Sequence, residues 1–141
     1  MHHIIYMSTA SWPMTDAELQ ELLRQAQQGN ERLGITGALV YGDGQFMQIM
    51  EGEQATLETL YAHLGQDRRH KGLFKLADRP IIERRFSEWS MAFQVVSPAG
   101  FEQLVGYVAP ARLTQQLPDL GAADSLFVER MRSLALAPVP E

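Results

Sequence analysis

Residues 2–8 alternate at period two, with His2, Ile4, Tyr6 and Ser8 on one side and His3, Ile5 and Met7 on the other. This predicts a strand with Tyr6 and Ser8 on a shared face. Ser11-Trp12-Pro13 interrupts the pattern, and Trp12 is expected at the surface or an interface. Thr15 and Glu18 then have capping-box spacing ahead of an apolar stripe at Leu19, Leu22, Leu23 and Ala26. A first helix is expected there, ending near Gly29-Asn30, residue types that tolerate the left-handed conformation. Residues 35–41 and 45–51 flank Gly42-Asp43-Gly44, the signature of a hairpin. Leu57, Leu60, Tyr61 and Leu64 recur at helical spacing and predict a second helix ending about Gln66.

Two further strands are expected. One covers 73–82, where Pro80 argues against a central place in the sheet; the other covers 90–96, alternating Met91, Phe93 and Val95 against Ala92, Gln94 and Val96. Beyond them, Phe101, Leu104, Val105 and Val108 suggest a short helix, and Ala123, Leu126, Phe127, Met131 and Leu134 another, with Pro110 and Pro118 bracketing a linker. The order β-α-β-β-α-β-β is that of an α+β, ferredoxin-like sheet carrying two helices on one face, with one strand added and C-terminal helices following.

The 141 residues fit one domain, and 45% hydrophobic against 21% charged residues suits a globular core. The absence of cysteine rules out disulfides, thiolate metal sites and a cysteine nucleophile. No apolar run approaches the roughly 18 residues of a membrane span, and the start lacks a signal-like pattern, so a cytoplasmic location is expected. The formal net charge of −5 argues against direct nucleic-acid binding. Seven of the twelve basic residues nevertheless fall within 68–85, a region suited to a small anionic ligand or to protecting an edge strand.

Two features bear on chemistry. Gln48 lies in an otherwise apolar strand beside Phe46 and Met50, so its carboxamide needs partners, either a neighbouring strand or a ligand. Asn30 follows the first helix and Asp67-Arg68-Arg69-His70 the second, so in this topology both groups border a groove between the helices that would fit a planar aromatic ligand. Taken alone, the commoner explanation has Asn30 as a helix C-cap and the basic cluster as a match to the negative end of a helix dipole. His63, Asp67 and His70 lack a tight metal-ligand repeat, so no metal is expected. There is no GxSxG, GxxxxGK[ST] or GxGxxG motif to support a hydrolase or nucleotide triphosphatase.

Ile5-Tyr6-Met7-Ser8, Asn30 with Gly34-Ile35-Thr36-Gly37-Ala38-Leu39, Phe46-Met47-Gln48 leading to Glu51-Gly52, Asp67-Arg68-Arg69-His70, and Arg85-Phe86-Ser87-Glu88-Trp89-Ser90-Met91 occur in order and resemble the BLUF family of blue-light sensors using flavin. The resemblance covers about residues 4–96. It implies a photosensory unit over 1–97 and a helical extension over 98–141 that belongs to the same compact unit and carries output or self-association.

It also implies a noncovalent flavin between the two helices, FAD first and FMN or riboflavin as alternatives. Tyr6 and Gln48 would lie beside the reactive edge of the ring and Asn30 on its pyrimidine side. Asp67, Arg69 and His70 would approach the ring edge or ribityl chain, Leu22, Leu39, Phe46 and Leu64 would wall it, and His63 would approach the phosphate. Light-driven electron and proton transfer from Tyr6, with rearrangement of Gln48, would shift absorption to the red. Ser8, Trp89 and Met91 belong to the same photocycle set, the last two on the output strand, with either one inward. Ala26 and Gly29 stand where relatives often carry polar residues. No enzymatic output domain is recognised in the sequence, so the expected partner is a separate signalling protein, with a homodimer or higher homo-oligomer and no membrane. A flavin-dependent enzyme and a colourless interaction module are the competing classes.

Overall fold

The computed structural model describes residues 1–102 and 128–133. The chain runs β1 (His2–Ala10), α1 (Asp16–Leu33), β2 (Thr36–Gly42), β3 (Gln45–Gly52), α2 (Gln54–Leu64), β4 (His70–Pro80) and β5 (Ala92–Val95). The strands form one sheet in the order β4-β1-β3-β2-β5, antiparallel except where β5 joins β2. This is the expected α+β ferredoxin-like arrangement with an added strand.

The period-two pattern of β1 divides the core into two layers. Ile4 and Tyr6 face α2 together with Ile35, Met50 and Leu57, while Ala10, Leu39, Phe46 and Met91 pack with Leu19 of α1. Ile5, Ala38, Met47 and Ile49 occupy the opposite face, where Phe86, Phe101, Val128 and Met131 cover them. The helix-side core is thus split into two clusters, one under each helix.

Thr15 closes the capping box as expected: its hydroxyl accepts from Glu18 N–H while the Glu18 carboxylate accepts from Thr15 N–H. The other end of α1 differs from the sequence expectation. The helix continues one turn past Gly29-Asn30 to Leu33 and stops at Gly34, whose φ of 69° is left-handed. Gly34 N–H reaches Glu31 C=O at 3.4 Å and Ile35 N–H reaches Asn30 C=O at 2.9 Å, the paired bonds of a Schellman closure. Asn30 is therefore a buried residue of the last helical turn rather than a cap.

Other boundaries shift for local reasons. The α2 helix ends two residues early, at Leu64. The β4 strand begins at His70 rather than 73 because β1 extends to Ala10 and pairs with it. It is an edge strand, and Pro80 is its last residue. The β5 strand is limited to the four residues that pair with β2, which leaves Met91 just outside it. Gly37 permits the tight β2–β3 approach, since a Cβ there would lie 2.0 Å from the Ile49 carbonyl oxygen. In the tail, residues 98–102 and 128–133 are helical, and Phe101 and Met131 are buried as their apolar spacing suggested. The expectations resting on Leu104, Val105, Val108, Pro110, Pro118, Ala123, Leu126, Phe127 and Leu134 lie outside the described residues. Among the described residues no helix is long and apolar enough to cross a membrane.

Candidate functional site

Between the two helix-side clusters lies a cavity of about 190 Å³, floored by the sheet and walled by α1 and α2. The register explains its floor. Tyr6 on β1 stands opposite Gln48 on β3, and Gln48 opposite Leu39 on β2, so three adjacent strands place these side chains in one row. The Tyr6 hydroxyl donates to Gln48 Oε1. Gln48 Nε2 then meets the Met91 sulfur at 3.7 Å, a weak acceptor. Both residues are almost wholly buried.

Of the residues singled out from sequence, Tyr6, Leu22, Asn30, Leu39, Phe46, Gln48, Leu64, Asp67, Arg69 and His70 all line this cavity. Asn30 Nδ2 donates to the Ser90 carbonyl at 2.7 Å, which leaves its oxygen as the acceptor of the carboxamide. His70 is held at both ring nitrogens. The Leu64 carbonyl can only accept, so Nε2 donates to it at 2.6 Å, and Nδ1 shares a hydrogen bond with the Ser8 hydroxyl at 2.8 Å. Ser8 thus acts behind the wall, and His70 offers the cavity a fixed ring edge, packed against Tyr6 and Phe46 at centroid distances of 6.4 and 6.3 Å.

At the polar end, Arg69 forms a two-pronged pair with Asp67, with contacts of 2.6 to 3.1 Å, and reaches Gln25 of α1 at 2.8 Å. The guanidinium bonds hold the Asp67 carboxyl below its ordinary range. Besides Ser8, three of the residues singled out from sequence do not join the lining. His63 precedes Leu64 by one position, about 100° around the helix, and is exposed. Met91 reaches the site through Gln48, whereas Trp89 packs on the opposite layer, its ring 6.3 Å from that of Phe86.

Gln25, Leu33 and Leu60 also line the cavity but were not among the expected site residues; Ala26 and Gly29, noted only as departures, do so as well. Leu22, Gln25, Ala26, Gly29, Asn30 and Leu33 follow one face at three- and four-residue steps. Extending the α1 stripe through Leu33 is the signal that finds them.

Burial pushes the Tyr6 phenol well above its ordinary value, with smaller contributions from Tyr61 and Asp67. Tyr6 is therefore a protonated phenol throughout the working pH range. The unfolded chain ionises it near pH 10, so its contribution to stability is intact below that value and is withdrawn as pH rises above it. In an alkaline titration, one of the four tyrosines should ionise only together with loss of far-UV circular dichroism, and Tyr6→Phe should remove that component. Ionisation of all four before unfolding would contradict this assignment.

A ferredoxin-like sheet with a helix-walled, largely apolar cavity and a buried tyrosine–glutamine pair on its floor has the make-up of a small-molecule-binding domain. The family model for sensors of blue light using FAD matches residues 1–92. The chain belongs to that family, BLUF, whose members sense blue light through a bound flavin.

Its relatives include photoactivated adenylate cyclase subunit beta of Euglena longa, 36% identical over 89 residues that make up 62% of this chain and 10% of that protein. Subunit alpha of Euglena gracilis is 38% identical over 81 residues, 57% of this chain and 8% of that protein. The chain thus spans about a tenth of these curated relatives. Among solved structures, photo-activated BlsA aligns with a TM-score of 0.74 at 25% identity, covering 99% of this chain and 98% of that one. BlrB, a BLUF protein in its dark state, aligns at 0.67 and 28% identity, covering 94% and 96%.

Proposed function

We propose that this chain is a photosensor whose switch is the Tyr6–Gln48 pair, with FAD as chromophore. The observation that carries the reading is the Tyr6 hydroxyl donating to Gln48 Oε1 on the floor of a cavity that both residues line. The donor set suits the ring. Asn30 and Gln48 bring uncharged carboxamides, which match the alternating carbonyl and N–H groups of a flavin pyrimidine edge. Leu22, Leu39, Phe46 and Leu64 would cover the apolar faces, and Asp67 and Arg69 would meet the ribityl side. His63 lies off this lining, so its proposed role is confined to the phosphate of the bound nucleotide outside the cavity.

Bound flavin excited by blue light supplies a one-electron oxidant beside the phenol. Tyr6 is the donor, and losing an electron makes its O–H strongly acidic, so the proton leaves along the existing bond to Gln48 Oε1. Gln48 can then rotate or tautomerise at little cost, because among the described residues its Nε2 is restrained by the Met91 thioether alone. When electron and proton return to Tyr6, Gln48 remains in the exchanged arrangement, presenting a donor where it had presented an acceptor. No net chemistry results, consistent with a sensor rather than an enzyme. Output would pass through Met91 and the segment before β5 to the tail helices on the opposite face. A separate signalling protein would read it there, with a homo-oligomer built on the same tail in the cytoplasm.

Asn30→Ala tests the pocket assignment. Losing the carboxamide should weaken FAD binding by roughly tenfold or more in a fluorescence titration, the scale of one polar partner removed from a buried contact. An unchanged affinity would remove Asn30 from the site.

A further inference from the structure

Glu51 is a wholly buried acid outside the cavity, on the face of β3 opposite to Gln48. Its carboxylate accepts from Arg85 N–H at 2.6 Å, Phe86 N–H at 2.9 Å and the Thr36 hydroxyl at 2.9 Å. Arg84 braces the same point, donating to Thr36 Oγ1 at 2.9 Å, to the Glu51 carbonyl at 3.1 Å and to the Gly34 carbonyl at 2.7 Å. A buried charge is tolerable only when paired or hydrogen-bonded in this way.

These bonds act on the segment that carries Trp89 and Met91. Phe86 N–H is bound by Glu51, and Phe86 C=O accepts from Trp89 N–H at 3.0 Å, so Glu51 anchors the turn that aims Trp89. Trp89 C=O in turn accepts from Gly37 N–H at 3.2 Å. Gln48 and Glu51 lie three residues apart on one strand, and through opposite faces they grip the two ends of a single stretch, 85–91. The 128–133 helix rests on that stretch as well, with Arg132 donating to the Arg85 carbonyl, pairing with Glu88 at 3.4 Å and lying 5.3 Å from the Trp89 ring centroid.

We propose that Glu51 is a positioning residue of the photocycle: its buried carboxylate holds residues 85–86 so that Met91 stays against Gln48 and Trp89 stays on the tail-helix face. This rests on the photosensor reading above. A carboxylate presents acceptors only. In Glu51→Gln, an amide N–H₂ group would confront the N–H of Arg85 or Phe86, turning one attraction into a clash of donors without changing side-chain size.

The test uses Trp12→Phe as parent, which leaves Trp89 as the sole tryptophan. Glu51→Gln and Thr36→Val are made in that background and loaded with FAD. Acrylamide quenching of Trp89 in the dark and the dark-recovery rate after blue light are measured. The expected result is greater quenching together with a recovery rate changed about threefold or more in Glu51→Gln, and a smaller change in the same direction in Thr36→Val. Unchanged recovery in a flavin-loaded Glu51→Gln overturns the proposal, whether or not quenching rises, because a purely structural role would move quenching alone. If Glu51→Gln does not fold or load, Thr36→Val decides, and parental values for both readouts overturn the proposal. A parent that binds FAD but never shifts defeats the photosensor reading separately. Dark quenching, which needs no photocycle, then judges whether Glu51 holds the loop: an increase upholds that placement, and no change overturns it.

Discussion

Tyr6→Phe is expected to stay folded and yellow while its light-induced red shift falls by on the order of 100-fold or more, the scale lost when a group that moves a proton in the reaction is removed. The substitution deletes one hydroxyl from a wholly buried ring that packs edge-on against Tyr61 at 5.6 Å. The ring and its contacts remain, so the fold loses only one hydrogen bond, worth about 1 kcal/mol. The proton and the oxidisable phenol, however, are gone, and no other residue donates to Gln48 Oε1 among the described contacts. Absorbance before and after blue light checks this, with flavin content measured on the same sample. A normal red shift in Tyr6→Phe would remove Tyr6 from the switch.

Gln48→Leu is expected to abolish the shift by a different route and to cost stability as well. Leucine fills a similar volume but leaves the Tyr6 hydroxyl buried without its acceptor, a penalty of about 1–3 kcal/mol. It also removes the carboxamide whose rearrangement is the lasting record of the light. Electron transfer from Tyr6 would still quench the excited flavin, so Gln48→Leu should show short-lived flavin fluorescence with no red-shifted product. Tyr6→Phe should show prolonged fluorescence. Identical lifetimes in the two variants would contradict the division of labour between donor and relay.

Periodicity in the sequence put Tyr6 and Ser8 on one face of a strand and marked Gln48 as a lone carboxamide between Phe46 and Met50 on a buried face, while the joint role of Tyr6 and Gln48 came from the BLUF resemblance. The β1–β3 register then sets the two opposite each other. The end of α1 was misread because Gly29-Asn30 has the composition of a helix stop, whereas the left-handed residue is Gly34. That error concealed Leu33 and put Asn30 after the helix instead of in its last turn, although the reading still brought Asn30 to the groove whose cavity it lines. Trp89 and Met91 could not be sorted by alternation, since β5 begins only at Ala92 and the preceding segment follows a turn set by side-chain bonds. Glu51 carried no signal of burial: a glutamate ahead of a glycine at a strand end reads as exposed, and two of its three donors are backbone N–H groups more than thirty residues away.

Tail positions 128–133 act on the same segment as Glu51, so the geometry links cavity and tail through one stretch of about seven residues, 85–91. Light would act on one end of it, through Gln48 and Met91, and the tail helix would be displaced from the other.

If the Tyr6–Gln48 cavity holds a light-responsive flavin, the light-minus-dark visible spectrum of the FAD-loaded chain shows it most directly. The expected result is a flavin band that moves to the red under blue light and returns in darkness without net oxidation or reduction. A band that bleaches, or one that does not move at all under saturating light, would contradict it.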